Sequence, residues 1–333
     1  MSASVLPPFD ALDPNLAVEA AAEAWGLTLD GTFETFPSYV NRVFGFRDEE
    51  GRHWVAKFYR PGRWSADAIA EEHAFLAELA AEDAPVVAPV PGLDGSTLQL
   101  LEIEDESGSV LEVPFALWPK KSGRGFDAES ESDWLRLGAL AGRVHSVGAR
   151  RTAPARRRLA PGLLRADAEA LLGAGVVHPD CRGEFVEAFE LAEGRVDAAL
   201  EALPVQRIHG DFHRGNILDR GPEGLLLVDF DDTATGPAVQ DLWLLLPDHA
   251  AACRRELALV LEGYAEFREL PAGSVAAIES LRFLRMVSYL AWQARQRADA
   301  AFPRHFPDWG GRAFWLRECA DLLDQARLVA DGA

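Results

Sequence analysis

An acidic segment in the second half of the chain constrains the fold more than any other feature. The apolar run at 225–228 is typical of a buried strand, and Asp229, Asp231 and Asp232 follow it directly. Carboxylates at the end of a buried strand are strongly destabilising unless positive charge lies beside them. We therefore expect this strand end to meet a cation in the folded protein.

A polar loop shortly before this strand carries the ligand types that a divalent cation prefers. Residues 208–218 contain two histidines, Asp211 and Asn216, with apolar residues at both ends. Mg²⁺ takes oxygen ligands, usually one or two carboxylates together with phosphate oxygens. Asn216 and Asp229 are accordingly predicted to form a Mg²⁺ site from a loop and a strand end.

The spacing of Asp211 and Asn216 matches that of the aspartate and asparagine in kinase catalytic loops. In those loops the aspartate accepts the proton of the substrate hydroxyl and the asparagine binds metal. Phosphoryl transfer needs positioned charge more than covalent chemistry from the protein. The spacing predicts that Asp211 is the catalytic base. Asp229, the predicted metal ligand at the strand end, is the second catalytic candidate.

Kinase chemistry also requires a lysine on a strand and a glutamate on the following helix. Lys57 lies in the alternating apolar run 55–59, as in the Val-Ala-Ile-Lys pattern of kinases. Glu71 and Glu72 both lie on the next predicted helix, and Glu72 is preferred because the apolar face lies beside it. The glycine-rich phosphate loop is absent from the sequence, and Ser38 is the predicted phosphate contact at that place.

The predicted secondary structure divides the chain into two parts. Short strands and two helices, at 14–25 and 66–81, are predicted before residue 119. Long helical patterns follow at 132–147, 184–203, 254–268, 275–297 and 313–329, interrupted by strands within 205–230. We predict an α+β, bilobal fold with a small antiparallel-sheet lobe at 1–118, a connector at 119–125 and a larger helical lobe at 126–333. The basic segment 150–158 is interpreted as a solvated linker.

The composition indicates which kinds of partner and which cellular compartment are compatible with this chain. The chain has 33 Lys and Arg against 53 Asp and Glu, a net charge of −20, which disfavours nucleic acid and anionic membranes as partners. Three scattered cysteines are too few for a disulfide framework or a cysteine-based zinc site. No apolar run is long enough to span a membrane, and residues 1–10 lack the pattern of a secretory leader. We expect a cytoplasmic monomer without a nucleic-acid or membrane partner.

Several segments resemble the aminoglycoside/choline-kinase-like branch of the protein-kinase-like superfamily. They are Ser38-Tyr39 with Asn41-Arg42-Val43, Val55-Ala-Lys-Phe-Tyr-Arg-Pro-Gly-Arg-Trp64, Glu71-Glu72-His73, His209 to Leu218, Val228-Asp-Phe-Asp-Asp232, Gly236-Pro-Ala-Val-Gln-Asp-Leu-Trp243, Tyr289-Leu-Ala-Trp292 and Ala301-Phe-Pro-Arg-His-Phe-Pro307. The loop at 209–218 is typical of the whole superfamily, whereas the segments at 58–64 and 236–243 are narrower signals. The resemblance implies a protein-kinase-like fold, ATP as the phosphoryl donor and Mg²⁺ as the metal.

The resemblance also implies a role for each matching residue. Asp211 would be the catalytic base, with Asn216 and Asp229 as the Mg²⁺ ligands. Asp241 would be a structural carboxylate that braces the catalytic loop. The nucleotide contacts would be Ser38, Lys57 in a pair with Glu72, and the connector backbone around Leu117 and Trp118.

Within this superfamily the chain looks most like a bacterial serine/threonine protein kinase of the stress response, which would phosphorylate itself and a protein substrate. A kinase of small alcohols or amines, such as aminoglycosides, choline or homoserine, is an alternative, because no motif defines the acceptor. A hydrolase with zinc on His209, Asp211 and His213 belongs to a different class, as does a pseudokinase that only binds partners. The few residues between Asp229 and Asp241 leave no room for a long activation loop.

Overall fold

The computed structural model describes residue 9 and residues 12–104 and 110–332. The N-terminal part contains the strands β1 (Leu29–Phe36), β2 (Arg42–Asp48), β3 (His53–Phe58), β4 (Gln99–Glu104) and β5 (Val110–Pro119), and the helices α1 (Pro14–Trp25) and α2 (Ala66–Ala81). The strands form one antiparallel sheet in the order β1-β2-β3-β5-β4. The sequence also predicts a loop at 104–108 between two strands. Most of this loop, and most of the segment 1–10, lie outside the described residues.

Local sequence signals determine the ends of α1 and α2, which lie where the sequence predicts them. The Asp13 carboxylate caps α1 by accepting two backbone N–H groups of the first turn, and Gly26 ends the helix in a left-handed conformation. The Ser65 hydroxyl caps α2 by accepting the Ala68 N–H at 3.2 Å. These bonds join near neighbours in the chain, so the pattern alone locates them.

The C-terminal part is mainly helical and carries five short strands. The helices are α3 (Glu131–Gly148), α4 (Leu163–Gly173), α5 (Arg182–Ala202), α6 (Val239–Trp243), α7 (Arg254–Ala265), α8 (Ile278–Gln296), α9 (Phe302–His305) and α10 (Arg312–Asp331). The strands are β6 (Arg124–Gly125), β7 (Val205–Ile208), β8 (Ile217–Asp219), β9 (Leu225–Leu227) and β10 (Ala234–Pro237). The largest apolar core packs α4, α5, α8 and α10 together. This architecture confirms the predicted α+β fold with an antiparallel N-terminal sheet and a helical C-terminal part.

The segment 119–125 ends as a strand rather than as a free connector. β6 pairs with β8, which itself pairs with β9 to complete a three-stranded sheet beside the polar loop. The boundaries at 118 and 126 remain predictions. Of the helices in the described part of the chain, none has the length and apolar character needed to cross a bilayer.

Two features of the C-terminal part differ from the sequence expectations. Helix α4 is not among the helices that the sequence pattern predicts, and its first residue follows Gly162 without a side-chain cap that could mark it. The segment 150–158 is not a solvated linker throughout, because Arg156 is buried and donates to the carbonyl oxygens of Thr233 (2.8 Å) and Ala68 (3.3 Å). Its partners are distant in sequence, and the local charge pattern cannot reveal them.

Candidate active site

Two cavities lie on either side of the acidic segment 229–232. The larger, about 380 Å³, is lined by predicted nucleotide and metal residues, which are Ser38, Lys57, Glu72, Trp118 and Asp229. The smaller, about 270 Å³, is lined by Asp211 and Asp232. The predicted base therefore faces one cavity while the predicted nucleotide contacts face the other.

Lys57 forms the centre of a buried charge network in the larger cavity. It lies on β3, between β2 and β5 of the sheet, and its Nζ is 3.1 Å from Glu72 Oε1. Glu71 instead accepts the backbone N–H of Ala155, so the structure selects Glu72 as the partner of the lysine. Burial lowers the pKa of Lys57, but nearby carboxylates outweigh it and hold that pKa well above its ordinary value.

Asp231, whose role the sequence left open, is the most strongly paired carboxylate of the acidic segment. It is buried, and it lies 3.2 Å from Lys57 Nζ and 3.1 Å from Arg63 Nη2. Burial raises the pKa of Asp231, but the charges of Arg63, Lys57 and Arg156 outweigh burial and hold that pKa below its ordinary value. The expected cations at the strand end are therefore these three side chains. Asp232 pairs with Arg63 at 2.7 Å.

Asp229 differs from Asp231 in both backbone and electrostatics. It has a positive φ of 61°, which is unusual for a residue other than glycine and typical of functional segments. Desolvation raises the pKa of its carboxyl, and the nearby Asp231 and Asp232 raise it further against the opposing effect of Lys57. An added cation at this carboxylate would relieve that repulsion.

Asn216 presents the second predicted ligand beside Asp229. Its Nδ2 donates to the backbone oxygen of Asp211 (2.9 Å) and to Asp211 Oδ2 (3.3 Å), which leaves Oδ1 to accept from or ligate another group. Its backbone oxygen accepts the N–H of Val228, so it is tied to the strand that precedes Asp229. An amide oxygen together with a carboxylate is the type of ligand set that Mg²⁺ takes in proteins. In the described residues, no group of three or more His, Cys, Asp or Glu side chains is placed to hold a metal ion.

Asp241 holds the polar loop in place, as the resemblance implies. Its carboxylate accepts the backbone N–H groups of His209 (2.7 Å) and Gly210 (2.9 Å), and its Oδ2 is 2.9 Å from His145 Nε2. Gly210 has a φ of 84°, and a Cβ there would lie 2.1 Å from the carbonyl oxygen of Asp232. Only glycine fits this close approach of the loop to the acidic segment.

His209 is a structural residue of this loop. Its Nδ1 accepts the Asp211 N–H at 3.2 Å, and its Nε2 lies 3.0 Å from the carbonyl oxygen of Val228. Both ring nitrogens are therefore occupied, and neither is available to zinc. This geometry argues against the hydrolase alternative, which requires His209 as a ligand.

Asp211 lies between two basic side chains. Arg285 of α8 forms an ion pair with Oδ1, and His213 Nε2 lies 3.3 Å from Oδ2. Burial raises the pKa of Asp211, but the hydrogen bond from His213 and the charge of Arg285 together bring that pKa below its usual range. Asp211 is therefore an ionised carboxylate at neutral pH, able to accept a hydrogen bond from an incoming hydroxyl.

Three basic residues of the site are absent from the sequence predictions. Arg63 lies in the segment 55–64 and Arg156 lies in the basic segment 150–158, so the sequence carries a signal for both. Arg285 had none, because it reaches Asp211 across 74 positions of chain through the packing of α8.

The turn that carries Ser38 is held by side chains rather than by glycines. Arg60 donates to the carbonyl oxygens of Tyr39 (2.8 Å) and Val40 (2.9 Å), and its charge is neutralised by a buried ion pair with Asp299. Ser38 Oγ accepts the Asn41 N–H at 3.3 Å. The turn is therefore fixed to the C-terminal part of the chain.

One predicted nucleotide contact lies outside the cavity. Leu117 is fully buried, and its carbonyl oxygen already accepts the N–H of Val90 at 2.8 Å. The cavity wall in this region is formed instead by Trp118 and Pro119. The alternation of a strand explains the difference, since adjacent residues face opposite sides of the sheet.

His73, next to Glu72, makes the stability of this region depend on pH. Its Nε2 lies 2.9 Å from the Tyr59 hydroxyl and its Nδ1 lies 2.8 Å from Thr97 Oγ1. Desolvation, with Lys57 and Arg156, lowers its pKa from 6.5 to about 3. The unfolded chain therefore binds a proton near pH 6.5 that the folded chain does not bind until about pH 3, so stability is lost as the pH falls through this window.

We expect His73→Gln to flatten this pH dependence. Between pH 6.5 and pH 5, the free energy of unfolding of the wild type should fall faster than that of the variant, by up to about 1.4 kcal/mol per pH unit. Urea unfolding at pH 7 and pH 5 measures the difference. His53→Gln, at an exposed histidine of β3, is the matched control. Equal pH slopes for the wild type and His73→Gln would contradict the assignment.

Comparison with known proteins identifies the family. A model described as a phosphotransferase enzyme family matches residues 32–284. The chain belongs to this phosphotransferase enzyme family. It is 37% identical over 325 residues to stress response kinase A of Escherichia coli (strain K12), covering 97% of this chain and 95% of that protein. It is 35% identical to the serine/threonine protein kinase RdoA of Salmonella typhimurium, covering 96% and 94% of the two chains.

Solved structures of other phosphotransferases share the fold. An amicoumacin kinase in complex with AMP-PNP and Ca²⁺ has a TM-score of 0.71 at 18% identity, covering 97% of this chain and 94% of that chain. A spectinomycin phosphotransferase in complex with ADP has a TM-score of 0.66 at 12% identity, covering 97% and 99%. These likenesses confirm the predicted bilobal, protein-kinase-like fold. The family membership makes this chain a phosphotransferase, which agrees with the paired cavities.

Proposed function

We propose that this phosphotransferase is a Mg-ATP-dependent serine/threonine protein kinase that also phosphorylates itself and acts in a bacterial stress response. One observation carries the proposal. The Lys57–Glu72 pair and Asp229 line one cavity, Asp211 lines the other, and Asn216 contacts Asp211 while it is tied to the strand before Asp229. The identity to proteins named stress response kinase A and serine/threonine protein kinase RdoA supports the protein acceptor.

The proposed mechanism assigns one task to each group. Lys57 binds the α- and β-phosphates of ATP, oriented by Glu72, while Trp118 and Ser38 bound the nucleotide cavity. Asn216 and Asp229 would hold Mg²⁺, which when bound offsets the charge on the phosphate oxygens. Asp211 accepts the hydrogen bond of the Ser or Thr hydroxyl and takes its proton as the hydroxyl oxygen bonds to the γ-phosphorus. The bond from the γ-phosphorus to the β,γ-bridging oxygen breaks in the same step, and ADP leaves.

The fixed arrangement of these groups implies an enzyme without an activation-loop switch. Arg156 donates to carbonyl oxygens of α2 and of the acidic segment and lies 3.8 Å from Glu72. It therefore holds α2 with its glutamate against the proposed metal-binding segment.

We further propose that the protein works as a cytoplasmic monomer, without nucleic acid or membrane as a partner.

Transfer of label from γ-³²P-ATP in the presence of Mg²⁺ tests the proposal. The protein is incubated alone, with casein as a protein acceptor, and with kanamycin, choline or homoserine. We expect label on Ser or Thr of the protein itself and of casein, dependent on Mg²⁺. Label on a small molecule alone would support the small-molecule kinase instead, and ATP binding without any transfer would support the pseudokinase.

A further inference from the structure

The smaller cavity has a charge opposite in sign to that of the whole chain. Its charged lining consists of Arg63, Arg157 and Arg285 against Asp211 and Asp232, whereas the chain as a whole carries a net charge of −20. On the proposed function this cavity receives the acceptor. The excess of arginine there is therefore a property of the acceptor site rather than of the general composition.

The three arginines are held in position by carboxylates, two of which lie behind the cavity wall. Arg157 donates to Asp167 Oδ2 and Ser288 Oγ, both at 2.9 Å, and Asp167 is outside the lining. Arg63 contacts Asp231, which is also outside it. The guanidinium groups of all three arginines line the cavity, whereas Asp167 and Asp231 do not, so a ligand in the cavity meets more arginine than carboxylate groups.

Arg63 also has unused hydrogen-bonding capacity. Its side chain is 9% exposed, and its Nη1 is buried without a hydrogen-bond partner among the described residues. A buried guanidinium N–H without a partner is destabilising, and a carboxylate or phosphate oxygen would satisfy it. This is a second, independent indication of an anionic ligand group.

The cavity has an aromatic wall and adjoins a second cavity. Tyr289 and Trp292 line it as a stacked pair, with ring centroids 5.5 Å apart and 15° between planes. Arg285 and Tyr289 also line a neighbouring cavity of about 600 Å³. The acceptor surface therefore extends past the residue that reaches Asp211.

We infer that the acceptor, on the proposed function, is a Ser or Thr in an acidic segment of a polypeptide, with carboxylates beside the hydroxyl that contact Arg157 and Arg63. A lysine-rich segment, or a polyamine such as an aminoglycoside, would bring ammonium groups against these guanidinium groups. Repulsion in this partly enclosed cavity, where water screens charges poorly, makes such acceptors poor substrates.

Three serine peptides of equal length, flanked by Glu, Ala or Lys, test the inference with the full-length enzyme. For the wild type we expect kcat/KM to fall in the order Glu, Ala, Lys, with a difference of about tenfold or more between the extremes. Arg157→Glu should lower kcat/KM for the Glu peptide about tenfold through KM and raise it for the Lys peptide. Arg158→Glu, the same charge change at its exposed neighbour, should leave all three values unchanged.

The outcomes separate the inference from the proposed function. If the wild type phosphorylated the Lys peptide as well as or better than the Glu peptide, the inference would be overturned, whereas the proposed protein kinase function would not be affected. The proposed function would be overturned if no label appeared on any of the peptides, on casein or on the enzyme itself. If Arg157→Glu does not fold, Arg157→Gln replaces it, and an unchanged preference for Glu in that variant would overturn the role of Arg157.

Discussion

Asp211→Asn is expected to lower phosphoryl transfer by about 10²–10⁴-fold while leaving ATP affinity close to that of the wild type. The carboxylate accepts the hydroxyl hydrogen bond, and the amide cannot take the proton. Asp211 lines the smaller cavity, away from the proposed nucleotide contacts, so binding of ATP should persist. Single-turnover transfer from labelled ATP, together with a nucleotide binding titration, separates the two effects.

The matched control for this prediction is Asp232→Asn, which makes the same chemical change in the same cavity. The Asp232 carboxylate pairs with Arg63 at 2.7 Å, and it is the backbone oxygen of Asp232, not its carboxylate, that approaches the polar loop at Gly210. We expect a much smaller loss of transfer rate in this variant. Turnover of Asp211→Asn within tenfold of the wild type would remove Asp211 from the role of base.

Asp229→Asn is expected to change function and stability in opposite directions. Mg²⁺-dependent ATP binding should weaken by about 100-fold, since the variant loses the charged ligand of the proposed metal site. Without metal, however, the variant should melt at a higher temperature than the wild type. The pKa of Asp229 is raised by desolvation and by the neighbouring carboxylates, but the side chain is 57% exposed, so the gain in melting temperature should be small.

A Mg²⁺ titration of nucleotide binding and a thermal melt without Mg²⁺ measure the two effects. Asp127→Asn, at an exposed aspartate outside both cavities, serves as the control. Unchanged ATP affinity across the Mg²⁺ titration would count against Asp229 as a ligand. A lower melting temperature would show instead that Asp229 stabilises the acidic segment.

The sequence predicts the parts of this site that depend on spacing along one element or one loop. Asp211 and Asn216 are joined by hydrogen bonds within a single loop, and their spacing already indicates this. The pair of Lys57 with Glu72 follows from a strand and the helix directly after it. The choice between Glu71 and Glu72 rests on the helical face alone, and the structure agrees with it.

Other features could not be read from the pattern. Trp118 and Leu117 are neighbours in one strand, but only Trp118 lines the cavity. Because this part of the strand is covered on both faces, its residues do not alternate between apolar and polar, and the sequence does not show which one faces the cavity. The start of α4 lacks a capping side chain, and the helix was missed for that reason. The basic segment 150–158 resembles a linker because the groups that bury Arg156 lie elsewhere in the chain.

The sequence by itself determined that the acidic strand end needs positive charge and that Asp211 and Asn216 lie in one loop just before it, which led to the prediction of phosphotransferase chemistry there. Only the tertiary structure decided which cations meet those carboxylates, namely Lys57, Arg63 and Arg156 at Asp231 and Arg285 at Asp211. The physical reason is how far apart in the sequence the interacting residues lie. Caps, turns and loop bonds form between near neighbours, whereas an ion pair between distant residues exists only after helices and sheet have packed.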